Sequence, residues 1–149
     1  MQSMGKDQEV IQEVRLTKVV DGDTLLLLIP QPKQQFGIRV FLEGSCRLYG
    51  IDTPEQSTEA GKLVTKITQR LFPHWELAEL TIIQKDKYAG RLDGLLVVKG
   101  INLSDYLIEN KLAKPYIGGT RYWTYQELKS IEEQARIILS QTSYIYPYL

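Results

Sequence analysis

Arg47-Leu48-Tyr49-Gly50-Ile51-Asp52-Thr53-Pro54-Glu55, opening from Cys46, is a strand that stops at a proline bend and hands the chain to a helix. Cys46 to Ile51 reads as the strand, and Asp52-Thr53-Pro54-Glu55 breaks it, because Pro54 lacks an amide donor and holds Thr53 out of the helical region. From Gln56 to Phe72 the apolar residues Ala60, Leu63, Val64, Ile67 and Leu71 recur at helical spacing until Pro73 ends the run. The segment before this junction is strand-like. Val14 and Leu16 alternate with Arg15 and Thr17, Asp21-Gly22-Asp23 makes a turn, and Thr24 to Ile29 is β-rich. After the polar loop Pro30 to Gln35, the alternation Phe36, Ile38, Val40, Leu42 predicts a further strand up to Glu43-Gly44-Ser45.

Downstream, Leu77 to Ile83 and Leu92 to Val98 read as two strands around the charged turn Lys85 to Arg91, and Asn102 to Asn110 as a short helix. Thr124-Tyr125-Gln126-Glu127 has the form of a capping box, and Leu128, Ile131, Ala135 and Ile138 give the helix behind it one buried stripe. Strands, helix, strands, helices is an α+β order. It fits a five-stranded Greek-key barrel of the OB type with about three α-helices better than a parallel α/β sheet. The 149 residues suit one domain spanning 1–149, with 1–9 a flexible N-terminus and 143–149 a tyrosine-rich C-terminal tail.

Composition removes several classes of function. With 43% hydrophobic and 24% charged residues, and no apolar run near the roughly 20 residues a span requires, the chain reads as soluble and without a membrane role. One cysteine, Cys46, and one histidine, His74, assemble neither a disulfide framework nor a Cys/His zinc site. His74 lies in the loop Phe72-Pro73-His74-Trp75 and reads as a solvated surface residue, which argues against a histidine-based hydrolase. The N-terminus has no apolar leader, so the expectation is a cytoplasmic protein unless a leader was removed. Net charge is zero, where nucleic-acid binders usually carry a basic excess.

Four carboxylates occupy two bends: Asp21 and Asp23 flank Gly22, and Asp52 and Glu55 flank Thr53-Pro54. Bends can converge in space. Two carboxylates, a backbone carbonyl such as that of Thr53 and waters would suit a hard cation, Ca²⁺ or Mg²⁺, without any histidine. Turn and helix-cap preferences fully explain each bend taken alone.

Three segments together, Val19-Val20-Asp21-Gly22-Asp23-Thr24, Arg47 to Glu55, and Asp86-Lys87-Tyr88-Ala89-Gly90-Arg91, resemble the signature segments of the staphylococcal nuclease homologues, in the same order. The resemblance continues through Ile101-Asn102-Leu103 to Leu112-Ala113-Lys114 and so covers about Val14 to Lys114. It implies a nuclease: a Ca²⁺-dependent endonuclease, a hydrolase that cuts phosphodiester bonds of DNA and/or RNA with little sequence preference. It further implies that Asp23 and Asp52 ligate Ca²⁺ by side chain and Thr53 by its carbonyl, with Asp21 supporting them. Glu55 would be the general base, and Arg47 and Arg91 would hold the phosphate, a task for which planar guanidinium is suited.

Lys87 and Tyr88 match positions that contact a nucleotide phosphate, and equally fit a solvated turn. Tyr116 can stack a base or cover the barrel end. Ala89 lengthens the family's usual Lys-Tyr-Gly-Arg turn by one residue, and the connection from Asp23 to Arg47 is longer than usual. The tail Tyr144-Ile145-Tyr146-Pro147-Tyr148-Leu149 either packs on its own domain or docks a protein partner. A second function remains open: a non-catalytic OB module that binds nucleic acid or protein, to which the neutral charge points. Oligomeric state is not legible.

Overall fold

The computed structural model describes residues 9–32, 36–85, 90–116, 118–119 and 122–141. Five strands make the barrel: β1 (Glu9–Asp21), β2 (Thr24–Pro30), β3 (Phe41–Leu48), β5 (Leu77–Lys85) and β6 (Arg91–Val98). They lie in the order β3-β2-β1-β5-β6, and a parallel pairing of β3 with β6 closes the ring, the other barrel pairings being antiparallel. The short strands β4 (Ile51–Asp52) and β8 (Lys114–Pro115) pair with each other, and β7 (Ile101–Asn102) pairs antiparallel with the end of β6. Three helices complete the fold, α1 (Glu59–Leu71), α2 (Leu103–Glu109) and α3 (Tyr125–Ser140). The expected five-stranded OB-type barrel with three helices is the fold observed.

Period-two alternation supplies the inner face of the barrel. Leu25 and Leu27, Ala78, Leu80 and Ile82, and Leu96 and Val98 are buried in turn along their strands. On β1 the buried set is Val14, Leu16 and Val19, and the odd step is a register shift between Leu16 and Lys18. Helix α1 lays Ala60, Leu63, Val64, Ile67 and Leu71 on the barrel, and α3 packs against α1 through Ile131, Ala135 and Ile138. Each fully buried side chain of this kind stabilises the fold by roughly 1.5–3 kcal/mol before conformational entropy is subtracted. The capping box at Thr124 is complete: Thr124 Oγ1 accepts from the Glu127 amide, and the Glu127 carboxylate accepts from the Thr124 amide.

Two sequence expectations change. Phe36 to Leu42 is not a strand of its own; a single strand runs from Phe41 to Leu48, straight through Glu43-Gly44-Ser45, paired with β2 from Pro30↔Phe41 to Thr24↔Arg47. Over 36–40 the pairing thins to a single bridge at Ile38 and the Gln31 amide donating to the Val40 carbonyl at 2.8 Å, because β2 ends at Pro30 and the chain turns at Phe36-Gly37, both at positive φ. Phe36, Ile38 and Val40 stand exposed, as does Leu42 within β3. The second change is that β1 begins at Glu9, earlier than its alternation suggested, since Glu9 to Ile11 pairs with β5 before a register shift that ends at Val14, with most side chains of the segment exposed.

Cys46 lies inside the barrel wall, fully buried, and burial together with the nearby Asp93 charge pushes its thiol up to about 12. The reactive thiolate is therefore scarce in the native protein at neutral pH. A soluble disulfide reagent is expected to leave native Cys46 unlabelled and to label it promptly in denaturant; prompt labelling of the native protein would mean that β3 opens locally.

Candidate active site

The two carboxylate bends meet at one end of the barrel. Arg47 stands opposite Thr24 on β2 and opposite Asp93 on β6, which brings its side chain beside Asp23. The first bend is clamped by α1: Thr68 Oγ1 donates to the Gly22 carbonyl at 2.9 Å, and a Cβ on Gly22 would lie 2.6 Å from Val64 Cγ1 and 3.1 Å from Thr53 Oγ1. Only glycine lets the turn approach both the helix and the second bend this closely. The second bend is tied back directly, the Thr53 amide donating to Asp23 Oδ2 at 3.2 Å.

Between the bends lies Arg47. Its Nη2 is 3.5 Å from Asp23 Oδ2, 3.4 Å from Asp52 Oδ1 and 3.2 Å from the Ile51 carbonyl oxygen, and all three side chains are buried. The Arg47 Nε is buried with no partner, as is Thr53 Oγ1. Burial pushes the Asp23 carboxyl up from its ordinary value, outweighing the downward pull of Arg47, the Thr53 amide and the Thr24 hydroxyl, and the charge of Asp52 adds to the rise. Two buried carboxylates thus face one guanidinium.

The donor set suits a hard cation. Asp23 and Asp52 each bring a carboxylate oxygen within 3.5 Å of one point, held by Arg47 Nη2, next to the Thr53 backbone, and hard oxygen donors of this kind suit Ca²⁺. Among the described residues no group of three or more His, Cys, Asp or Glu could hold a metal. A cation here would therefore have to complete its shell with carbonyl and water oxygens, which Ca²⁺ accepts and a zinc site does not.

Glu55 projects at the surface beside this cluster. It lines a cleft of about 240 Å³ with Asp52, Thr53, Thr58, Tyr122, Trp123 and Leu128. Its carbonyl accepts from the Thr58 amide at 2.9 Å and the Thr58 hydroxyl at 2.7 Å, and a Cβ on Gly61 would fall 1.9 Å from that same oxygen. The first turn of α1 therefore rests on Glu55. Gly61→Ala is expected to lower stability by about 1–3 kcal/mol, because the overlap outweighs the roughly 1 kcal/mol that helix propensity gives alanine. It should also displace Glu55, and a raised melting temperature would show that the turn yields freely.

On the other side of Arg47 a cleft of about 320 Å³ is lined by Tyr49, Gly50, Gln84, Asp93, Tyr116 and Gly118 together with Arg47 itself. The Tyr116 ring centroid lies 5.2 Å from Arg47 Cζ, so Tyr116 belongs to this site. Its amide is held by the Gly50 carbonyl at 2.9 Å and its hydroxyl donates to the Gly119 carbonyl at 2.8 Å.

The structure brings together Asp23, Arg47, Asp52, Thr53, Glu55 and Tyr116. Asp21 ends β1 on the same turn as Asp23, half-buried and outside the Arg47 cluster. Arg91, exposed, pairs with Ser45 two residues before Arg47 and lines neither of these clefts. Lys87, Tyr88, the turn at Ala89 and the tail 143–149 lie outside the described residues. Sequence reasoning missed Trp123, whose Nε1 donates to Asp52 Oδ2 at 2.9 Å across 71 positions of chain, and the pair Gln84 and Asp93, joined at 2.7 Å.

Among the described residues no helix is long and apolar enough to cross a membrane. No curated protein matches the chain in sequence. Residues 45–138 match the family described as staphylococcal nuclease homologue, a span holding Arg47 to Glu55, Arg91 and the capped start of helix α3; the Asp21-Gly22-Asp23 turn precedes it. That match covers more than half of the 149 residues, and the chain belongs to the staphylococcal nuclease homologue family.

Proposed function

We propose that the protein is a calcium-dependent endonuclease that hydrolyses phosphodiester bonds of DNA and/or RNA with little sequence preference. The observation that carries this reading is the convergence of Asp23, Arg47 and Asp52 from two bends about thirty residues apart, with Glu55 on the adjoining cleft. Asp23 and Asp52 would hold Ca²⁺ by their carboxylates and Thr53 by its carbonyl. The ion, when bound, supplies a fixed positive charge that polarises the phosphate oxygens.

The remaining work falls to side chains. Glu55, exposed on the cleft, takes the proton from the attacking water as it closes on phosphorus. Arg47 has donors beyond the one it gives the aspartates, its Nε being without a partner, and these bind the phosphate oxygens where charge grows. Arg91 is the second guanidinium for that charge. Tyr116 offers a ring face to a base, and Lys87 and Tyr88 are proposed as phosphate contacts beside it. Asp21 supports Asp23 through their shared turn.

Zero net charge favours a second reading, a non-catalytic OB module that binds single-stranded nucleic acid or protein. Cleavage of single-stranded DNA, duplex DNA and RNA in Ca²⁺, Mg²⁺ or EDTA separates the two. Calcium-dependent cutting establishes the nuclease, while binding with no cutting on any substrate establishes the module.

A further inference from the structure

Trp123 precedes the cap of α3 by one residue, and none of the roles above uses it. Its indole N–H can only donate, and it donates to Asp52 Oδ2 at 2.9 Å while Arg47 Nη2 faces Asp52 Oδ1 at 3.4 Å. A carboxylate held at both oxygens has its plane fixed. Trp123 is held in turn. Lys114 Nζ lies 4.3 Å from the Trp123 ring centroid, donates to the Tyr122 carbonyl, and reaches the two carboxylate oxygens of Glu127 at 3.3 and 3.4 Å. Glu127 closes the capping box on Thr124, and Lys114 is also the residue opposite Asp52 in the β4–β8 pair. The N-terminus of α3 is thus clasped to the strand that carries Asp52, and the last link is the indole N–H. Packing alone would use the ring and leave the N–H idle.

The geometry points to Trp123 as a positioning residue that fixes the Asp52 carboxylate for cation binding and couples that carboxylate to the seating of α3. This rests on the proposed reading of Asp52 as a cation ligand. Partners that orient a metal ligand from behind typically change metal affinity by about 10- to 100-fold when removed.

The test uses the full chain and two probes, Ca²⁺ by titration calorimetry and Tb³⁺ by luminescence excited at the red edge of the indole band. Trp75→Phe leaves Trp123 as the only tryptophan, since the chain has two, and Trp75 lines a separate cleft with Arg15, Leu28 and Phe41. Expected are sensitised Tb³⁺ emission in the wild type and in Trp75→Phe, its loss in Trp123→Phe, and its displacement by Ca²⁺. Trp123→Phe, which keeps a ring but removes the donor, is expected to bind Ca²⁺ about 10- to 100-fold more weakly with its far-ultraviolet circular dichroism unchanged.

Wild-type Ca²⁺ affinity in folded Trp123→Phe overturns the positioning role and leaves Asp52 as a ligand. If Trp123→Phe does not fold, Trp75→Phe decides: Tb³⁺ bound there without sensitised emission places the ion away from Trp123 and overturns the inference. Absence of Ca²⁺ binding in the wild type, matched by Asp52→Asn, overturns the ligand reading and the inference with it.

Discussion

Glu55→Gln is expected to retain the fold and Ca²⁺ affinity while losing about 10²- to 10⁴-fold of phosphodiester cleavage, the usual contribution of a positioned general base. The substitution is nearly isosteric, and the Glu55 side chain is exposed, so the core does not register it. What α1 rests on is the Glu55 backbone: its carbonyl accepts both Thr58 bonds and touches the position of Gly61. Those contacts survive in the amide variant. The expected signature is therefore a lost rate at unchanged melting temperature. Gly61→Ala should do the reverse in part, losing stability together with rate because the carboxylate is misplaced, and a displacement of about 1 Å can cost about 10²-fold. A near-normal rate for Glu55→Gln would remove Glu55 from proton transfer and leave the metal and arginines to account for catalysis.

The fold was legible wherever a local pattern also had a global partner. The stripe Ala60, Leu63, Val64, Ile67, Leu71 specified α1 because it is the surface that the barrel end receives. Thr124 and Glu127 specified the start of α3 by bonds within four residues. Phe36, Ile38, Val40 and Leu42 carry an equally good alternation, yet no strand forms over 36–40, because periodicity says which face a strand would present and not whether another strand runs alongside. The opposite failure is Glu9 to Ile11, a paired segment with little burial to announce it.

The site divides the same way. That Asp23, Asp52 and Glu55 sit on bends follows from Gly22 and Pro54, both readable. That Arg47 lies between the aspartates follows from the β2–β3 register, Thr24 opposite Arg47, which a change of hairpin length would alter without changing any motif. Trp123 had no signal at all, since its partner lies 71 residues away and its neighbours are chosen for the helix cap.

Replacing Arg47 separates its structural from its chemical role. In chelator, Arg47→Met should destabilise the protein by about 3 kcal/mol, near the lower end of the range for breaking a buried ion pair, since the Nη2 contacts of 3.4 and 3.5 Å are long. The loss arises because Asp23 and Asp52 are left buried side by side without the guanidinium between them, while the neutral donors Thr53 amide, Thr24 hydroxyl and Trp123 Nε1 stay in place. Excess Ca²⁺ should restore part of the stability, because a ligand that binds only the folded state adds RT ln(1 + [L]/Kd). Arg47→Lys keeps a positive charge near the carboxylates and should retain most of the stability, yet lose cleavage, since an ammonium lacks the planar fork that can serve the aspartates and a phosphate together. Thermal melts with and without Ca²⁺, beside cleavage rates for both variants, read the two roles independently. Wild-type melting of Arg47→Met in chelator would mean that the carboxylates do not depend on the guanidinium. Wild-type turnover of Arg47→Lys would take the guanidinium out of phosphate binding and move that task to Arg91.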